Sequence, residues 1–497
     1  MKRFFSNPVV ALAAGACLRL LLVFKFPFVS GDTILYDQFA TNWLKLSKFA
    51  MNINGQPTPV DLRMPGYPAF LALVYALTGR TGERARLPVM LAQTIVDLST
   101  CVVIAALAVL LANLAGQREK SRRVFVVALW LAALCPFTAN YVAVPLTEVW
   151  AVFFSAVAFY LLSALATQVG GNAAPLSDQR SLLAKDTTVV ALLGGVSVGV
   201  GTLFRPETPL LLATTILALG VLALRRGELT RWIRVSALLG IACVAMLVPW
   251  TIRNAITLHE FQPLAPKDAT LPSELDPKGF MAWERTWLYS VHDTYLVTWK
   301  LNDDEIRMED SPATAFDNQQ ERGRVAAVLE KYNDDLTWNA EEDAEFAQLA
   351  RERTARHPLR TYVWIPLRRV VRIWFTPRIE LLPLSGSVFP LAYQWEEDPV
   401  DQRVTILLFF GNIVFVGLGL CGAAKLWKFP AARPAVIVLL TYIAVRTIFL
   451  TTLEAPEPRY TLVCFPALLA LGAQVAWRKS NAGVRAVVLA PPECHNS

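Results

Sequence analysis

Apolar runs long enough to cross a bilayer recur along this chain, and that repetition limits what it can fold into. A hydrocarbon core of about 30 Å takes about 20 predominantly apolar residues as a helix. Runs of that kind fall at roughly 8–28, 86–115, 124–145, 149–168, 187–204, 208–225, 233–252, 404–424, 433–453 and 460–477. The pattern predicts an all-α polytopic membrane protein with about ten transmembrane helices. Of the 497 residues, 54% are hydrophobic and 18% charged, against about 25% charged in an average soluble chain.

Met1-Lys2-Arg3 followed by an apolar stretch resembles a signal peptide, but the run continues past Cys17 through Phe24. It reads as an uncleaved first span. The net charge of +7 raises the question of nucleic acid. The basic residues instead sit in short clusters between the apolar runs: Lys2/Arg3, Arg118 to Arg123, Arg225 to Arg234, Lys425 to Arg433 and Arg478/Lys479. All fall on one side by parity, which makes that side cytoplasmic and places both termini there. The weaker 169–186 connection, with Arg180 and Lys185, joins them by parity. The partner is thus a lipid bilayer, the cell inner (plasma) membrane, and not nucleic acid.

Two long connections are left on the outer side. The first, 29–85, contains an apolar segment at about 67–79 that is too short to span and reads as an interfacial or re-entrant helix. The second, 254–403, holds 26 of the 40 acidic residues between Glu260 and Asp401. It predicts amphipathic helices near 311–332 and 338–357, the second capped by Thr337 or Asn339. An aromatic and arginine-rich interfacial helix follows at about 359–376, with Arg368, Arg369 and Arg372 facing anionic head groups. The organisation is therefore an N-terminal membrane module (1–253), an outer helical domain (254–403), C-terminal membrane helices (404–480) and a cytoplasmic tail (481–497). Six of the seven cysteines lie inside apolar runs and none has metal-site spacing.

Every outer junction carries an acid, an arginine or both: Asp32 and Asp37, Arg63, Glu148, Arg205 and Glu207, Arg253, and Glu457 and Arg459. Charge at the edge of hydrocarbon is costly and marks function. Carboxylates with arginines on an outer face suit a substrate bearing a phosphate and a hydroxyl to be activated. Taken singly, each has a plainer reading. Asp32 is a candidate helix N-cap, Asp37 is an alternative base, Arg63 is a turn anchor, and Arg459 is a snorkelling side chain. Deeper in the membrane lie Arg19, Asp97 and Arg446, and an unpaired charge there is expensive, so Asp97 is predicted to pair with one of the two arginines.

Gly31-Asp32 with Tyr36, Arg63-Met-Pro-Gly-Tyr67-Pro68, Leu146-Thr-Glu148, Phe204-Arg205-Pro-Glu207, Pro249-Trp-Thr-Ile-Arg253-Asn254 and Glu457-Pro-Arg459-Tyr460 occur in this order. Together they resemble the multi-spanning GT-C glycosyltransferases, in the branch similar to protein O-mannosyltransferases and the lipid A aminoarabinose transferase. The resemblance implies a GT-C fold with juxtamembrane helices in the first outer loop. It implies an inverting transfer of a sugar from a polyprenyl-monophosphate donor to a glycan, lipid or protein hydroxyl on the periplasmic face. By the same resemblance Asp32 is the general base and Glu148 the second catalytic acid. Tyr36, Asp37, Arg63, Tyr67, Arg205, Glu207, Arg253, Glu457, Arg459 and Tyr460 contact substrate, with Arg459 the first choice for the phosphate. No cofactor is certain; if a divalent metal is used, Asp32 and Glu148 hold it. The alternatives are an O-antigen polymerase or ligase using diphosphate-linked glycans, and a membrane transporter, although no internal repeat supports the latter.

Overall fold

The computed structural model describes residues 6–170, 186–266, 274–389, 391–455 and 457–477. Lys2/Arg3, Arg180/Lys185, Arg478/Lys479 and the tail 481–497, on which part of the orientation argument rests, lie outside the described residues.

The membrane helices are α1 (Pro8–Lys25), α4 (Arg86–Leu114), α5 (Ser121–Ala133), α6 (Glu148–Gly170), α7 (Thr187–Phe204), α8 (Pro209–Leu224), α9 (Leu229–Thr257), α14 (Pro399–Trp427), α15 (Arg433–Thr451) and α16 (Phe465–Gly472). Between them come α2 (Gly31–Leu46) and α3 (Gly66–Thr78) in the first connection. The second connection contributes α10 (Lys278–Glu284), α11 (Gln319–Asp335), α12 (Ala340–Arg356) and α13 (Ile365–Trp374).

All ten apolar runs are helical, but they are not ten equal spans. Among the described residues eight helices are long and apolar enough to cross a membrane. A ninth counts only if α5 and the segment Pro136–Ala143, bent by 50° from each other, form one span. The break falls at Cys135-Pro136, where proline removes a helix donor and pushes its predecessor out of the α region (Cys135 φ −70°, ψ 107°). The run left over is 208–225, whose helix α8 has only 16 residues.

One buried ion pair ties three helices together. Arg19 Nε donates to Asp97 Oδ2 at 2.6 Å, and its Nη1 donates to the carbonyls of Gly15 (3.0 Å) and Ala133 (2.7 Å). Asp97 therefore takes Arg19, and Arg446 goes elsewhere.

The first connection also contains a small sheet. Strands β1 (Ala50–Ile53) and β2 (Gln56–Pro59) form an antiparallel hairpin, with Ile53 opposite Gln56. Its turn residues Asn54 and Gly55 have φ of 51° and 77°, the left-handed pair that a two-residue hairpin turn requires. α3 follows, and its first residue is pressed onto the end of α7. A Cβ on Gly66 would stand 2.6 Å from the Leu203 carbonyl oxygen, so only glycine permits this approach.

The outer domain has a hydrophobic core of its own, including Phe280, Trp283, Trp287, Tyr332, Trp338 and Phe346. Asn339 caps α12 by accepting from the amides of Glu341 and Glu342, each at 3.0 Å. The preceding helix begins at Gln319, later than the expected 311. Of the three α13 arginines, Arg368 and Arg372 are exposed and Arg369 is not. Arg369 is buried and donates to the carbonyls of Leu288 (2.8 Å) and Thr451 (2.9 Å), while Arg368 and Arg372 lie over the Tyr289 ring. The exposed face carries Trp364, Leu367 and Val371 beside these two arginines, and Arg369 alone turns inward. The reason is local: the carbonyls at the ends of α10 and α15 need donors, and Arg369 supplies them. Arg285 pairs with Glu454 across the same joint.

Candidate active site

The ends of α2, α6, α7, α15 and the turn before α16 converge on one cluster of charge. α2 starts after Ser30, whose amide donates to the Thr33 hydroxyl at 3.3 Å; that hydroxyl in turn donates to the Pro145 carbonyl at 3.2 Å. Ser30 and Thr33 thus occupy the cap, and the capping reading of Asp32 is set aside. The Asp32 carboxylate is left free to accept from Arg63 Nη2 at 2.9 Å. The same Thr33 bond holds α2 against the Pro145–Thr147 turn that leads into Glu148, the first residue of α6.

α7 ends at Arg205, which precedes Pro206 and has left the helix (φ −139°, ψ 115°). The Thr208 hydroxyl fastens the turn by donating to the Arg205 carbonyl at 2.8 Å. Arg205 then reaches Glu148 Oε1 and Glu207 Oε1, each at 3.4 Å. Arg446, a deep charge on α15, rises to Glu207 Oε1 at 3.1 Å and to the Tyr460 carbonyl at 3.2 Å.

Arg459 links these pairs. Its Nη2 donates to Glu457 Oε1 at 2.9 Å, its Nη1 lies 3.6 Å from Glu148 Oε1, and its Nη2 lies 4.0 Å from Asp32 Oδ2. The Tyr460 hydroxyl donates to Glu457 Oε1 at 2.6 Å, and its ring has Arg205 and Arg459 at 5.3 and 5.4 Å from its centroid. Asp32, Glu148, Glu207 and Glu457 thus alternate with Arg63, Arg205, Arg446 and Arg459. Four positive groups can share so small a space only because carboxylates separate them.

Electrostatics follow from that alternation. Burial pushes the Asp32 carboxyl up, but the Arg63 guanidinium, helped by Arg459 and Arg205, outweighs it and holds the group below the usual carboxylate range. Burial acts likewise on Glu207, yet Arg205 and Arg446 bring it down to about 2. The hydrogen-bonding capacity is not used up. Glu148 Oε2 is buried without a hydrogen-bond partner. A buried polar atom left unmatched inside a charged cluster is what a substrate's oxygen or hydroxyl would complete.

Not every predicted residue arrives. Arg253 donates to the carbonyls of Phe49 (2.6 Å) and Val60 (3.0 Å), where it braces the hairpin instead of joining the cluster. Asp37 faces the other way and accepts from the Tyr75 hydroxyl. The Tyr67 hydroxyl donates to Gln93 Oε1 at 2.6 Å, so this side chain is structural. Its ring backs Tyr36 at 5.0 Å, and Tyr36 is the one that feels Asp32 and Arg63.

Two residues near the cluster were not singled out from the sequence. Arg378 donates to the Pro458 carbonyl at 2.8 Å, and Glu380 lies in the field of Glu457 and Arg459. The available signal was the run Pro377-Arg378-Ile379-Glu380, directly after the aromatic and basic segment.

Among the described residues no group of three or more His, Cys, Asp or Glu side chains is placed to hold a metal ion. Asp32 and Glu148, the pair that would share one, both have Arg459 within 4.0 Å. A guanidinium lies where a bridging divalent ion would go, so this donor set does not fit one.

No family model matches the sequence, and no curated protein matches it. Solved structures do. One is the archaeal oligosaccharyltransferase AglB from Archaeoglobus fulgidus, in complex with an inhibitory peptide and a dolichol-phosphate: 13% identity, TM-score 0.47, covering 94% of this chain and 50% of that one. Another is ArnT from Cupriavidus metallidurans bound to undecaprenyl phosphate: 12% identity, TM-score 0.40, covering 94% and 77%. The chain spans about half the length of the archaeal enzyme.

Proposed function

We propose that this chain is an inverting glycosyltransferase of GT-C type. It moves a sugar from a polyprenyl-monophosphate carrier to an acceptor hydroxyl on the outer side of the cytoplasmic membrane. The observation that carries this reading is the position of Arg459, within 4.0 Å of Asp32 and 3.6 Å of Glu148. It brings a permanent cation next to both acids, at membrane-helix ends where a lipid phosphate can reach them.

In this mechanism Asp32 accepts the proton of the acceptor hydroxyl as its oxygen attacks the anomeric carbon. The bond from that carbon to the phosphate oxygen breaks on the opposite face, and its electron pair leaves with the polyprenyl phosphate. That anion is already stable, so it needs positive charge more than a proton, and Arg459 and Arg205 supply it. Arg63 orients Asp32. No step is drawn through a metal ion.

One observation favours a second assignment of the base: Glu148 Oε2 is buried without a hydrogen-bond partner, whereas Asp32 is held by Arg63. The test uses purified protein in lipid nanodiscs, a panel of radiolabelled polyprenyl-phosphate sugars, and membrane extract as acceptor. Transfer with inverted anomeric configuration is expected. D32N should lose about two to four orders of magnitude in rate while still binding donor. If D32N retains transfer and E148Q loses it, the base is Glu148. Turnover only of diphosphate-linked glycans would defeat the monophosphate reading altogether.

A further inference from the structure

The turn that carries Arg459 is held from two sides by arginines of other segments. Arg446 Nη2 donates to the Tyr460 carbonyl at 3.2 Å, and Arg378 Nη1 donates to the Pro458 carbonyl at 2.8 Å. These two carbonyls flank Arg459 in the chain. The Pro458 carbonyl also accepts from the Thr461 hydroxyl at 2.9 Å. A side chain whose neighbouring peptides are both fastened starts from a fixed point, which is what a charge aimed at a reacting group needs.

Arg446 already serves the cluster through Glu207. The hydrogen bonds of Arg378 go elsewhere. Besides Pro458 it donates to Asn412 Oδ1 (3.1 Å), the Ile373 carbonyl (3.1 Å) and Thr461 Oγ1 (2.7 Å). All four acceptors are neutral. Asn412, buried on α14, is itself oriented by donating to the carbonyls of Trp374 and Thr376 at the end of α13. The Arg378 guanidinium also lies over the ring of Phe465, the first residue of α16, at 4.9 Å from its centroid. One buried fork thus joins the end of α13, the middle of α14 and the turn before α16. Its backbone is left-handed, with φ +56°, which non-glycine residues seldom adopt. Strain of this kind persists only where the surroundings over-determine it, and it gathers at functional sites. A buried arginine that spends its planar fork on neutral groups of three segments sets their geometry.

We propose that Arg378 is a positioning residue: it fixes the Pro458 peptide so that the Arg459 guanidinium lies beside Asp32 and Glu148, where it meets the donor phosphate. This rests on the glycosyl-transfer reading above and adds to it a residue that acts through Arg459.

The experiment measures kcat and KM for donor and for acceptor separately, with the full chain in nanodiscs, for wild type, R378G, R378K, T461V, R459A and R378G/R459A. The donor is whichever polyprenyl-phosphate sugar of the panel the wild type turns over. Glycine accepts a left-handed backbone, so R378G removes the donors without adding strain. It should lower kcat/KM for the donor by about tenfold or more, with the acceptor KM held within about twofold. R378K keeps the charge without the fork and should fall between. T461V takes one acceptor from Arg378 and one donor from the Pro458 carbonyl, and should move the donor value the same way by a smaller factor, so it carries the test where an Arg378 variant fails to fold. Once Arg459 is gone there is nothing left to position, and R378G/R459A should match R459A within about twofold. With an active wild type, losses that simply add in the double variant overturn this proposal alone. So do donor and acceptor KM values that rise together with a falling melting temperature, the mark of a packing defect. So does a wild-type kcat/KM for donor in T461V and in every Arg378 variant that folds. A wild type inactive on every monophosphate donor sinks the parent reading and this one with it.

Discussion

Arg63 Nη2 donates to Asp32 Oδ1 at 2.9 Å, closing a loop of the first connection that runs along α2 and back through the hairpin. That contact sets both the direction and the acidity of the proposed base.

If Asp32 must be ionised to accept a proton, activity rises with pH through its pKa. Arg63 holds that value low. R63Q should therefore move the acidic limb of the pH–rate profile to higher pH, while the alkaline limb stays in place. A limb that does not move would show that Asp32 is not the titrating base.

Arg459 is a planar donor shared among carboxylates, and lysine cannot copy its forked geometry. R459K should raise the donor KM and lower kcat/KM by about two orders of magnitude, close to R459A. Steady-state kinetics with varied donor checks this. Full activity in R459K would mean that only the charge matters.

G66A places a methyl 2.6 Å from the Leu203 carbonyl, and backbone cannot yield as a flexible side chain can. α3 must then move off α7, and Arg63 with it. Transfer should fall about tenfold or more, because small misplacements at a reacting centre are costly, while the protein remains folded by circular dichroism.

Glu284 is wholly buried in the outer domain, its Oε1 accepting from Thr298 at 2.6 Å and its Oε2 unpartnered, with Arg369 nearby. Burial pushes it from its ordinary 4.5 up to about 8. The folded state thus holds the proton that the unfolded chain releases. The resulting stability is fully present below pH 4.5, fades as pH rises, and is gone above about 8. The melting temperature of the purified protein should fall over that window, and E284Q should flatten the curve.

Removing one partner of the Arg19–Asp97 pair strands a charge in the membrane. R19M should destabilise the protein by about 3–5 kcal/mol, and R19M/D97L should recover most of that loss, as replacing a whole buried pair does. Denaturant titration in detergent micelles separates the two.

What the sequence disclosed depended on how local each signal was. The membrane helices declared themselves through long apolar runs, and Asp97 needed a partner because a lone charge at that depth is costly. The Asn54-Gly55 turn is a local signal of only two residues, set in a connection dominated by the apolar pattern on either side. The site was legible as a set of acids and arginines at helix ends, but not as pairs. Nothing in the sequence separates Arg205, which reaches Glu148, from Arg253, which braces the hairpin, since each follows an apolar run. Arg378 was invisible for the same reason: its place at the cluster comes from its bond to the Pro458 carbonyl, made across 80 residues of chain.

Asp32 follows α1 and Arg459 precedes α16, so the groups of one site are made far apart in time. During synthesis Asp32 and Arg63 can meet first, while the cation beside them has not yet been made. The proposed chemistry is thus delayed by the order of synthesis itself, until the turn before α16 is in place.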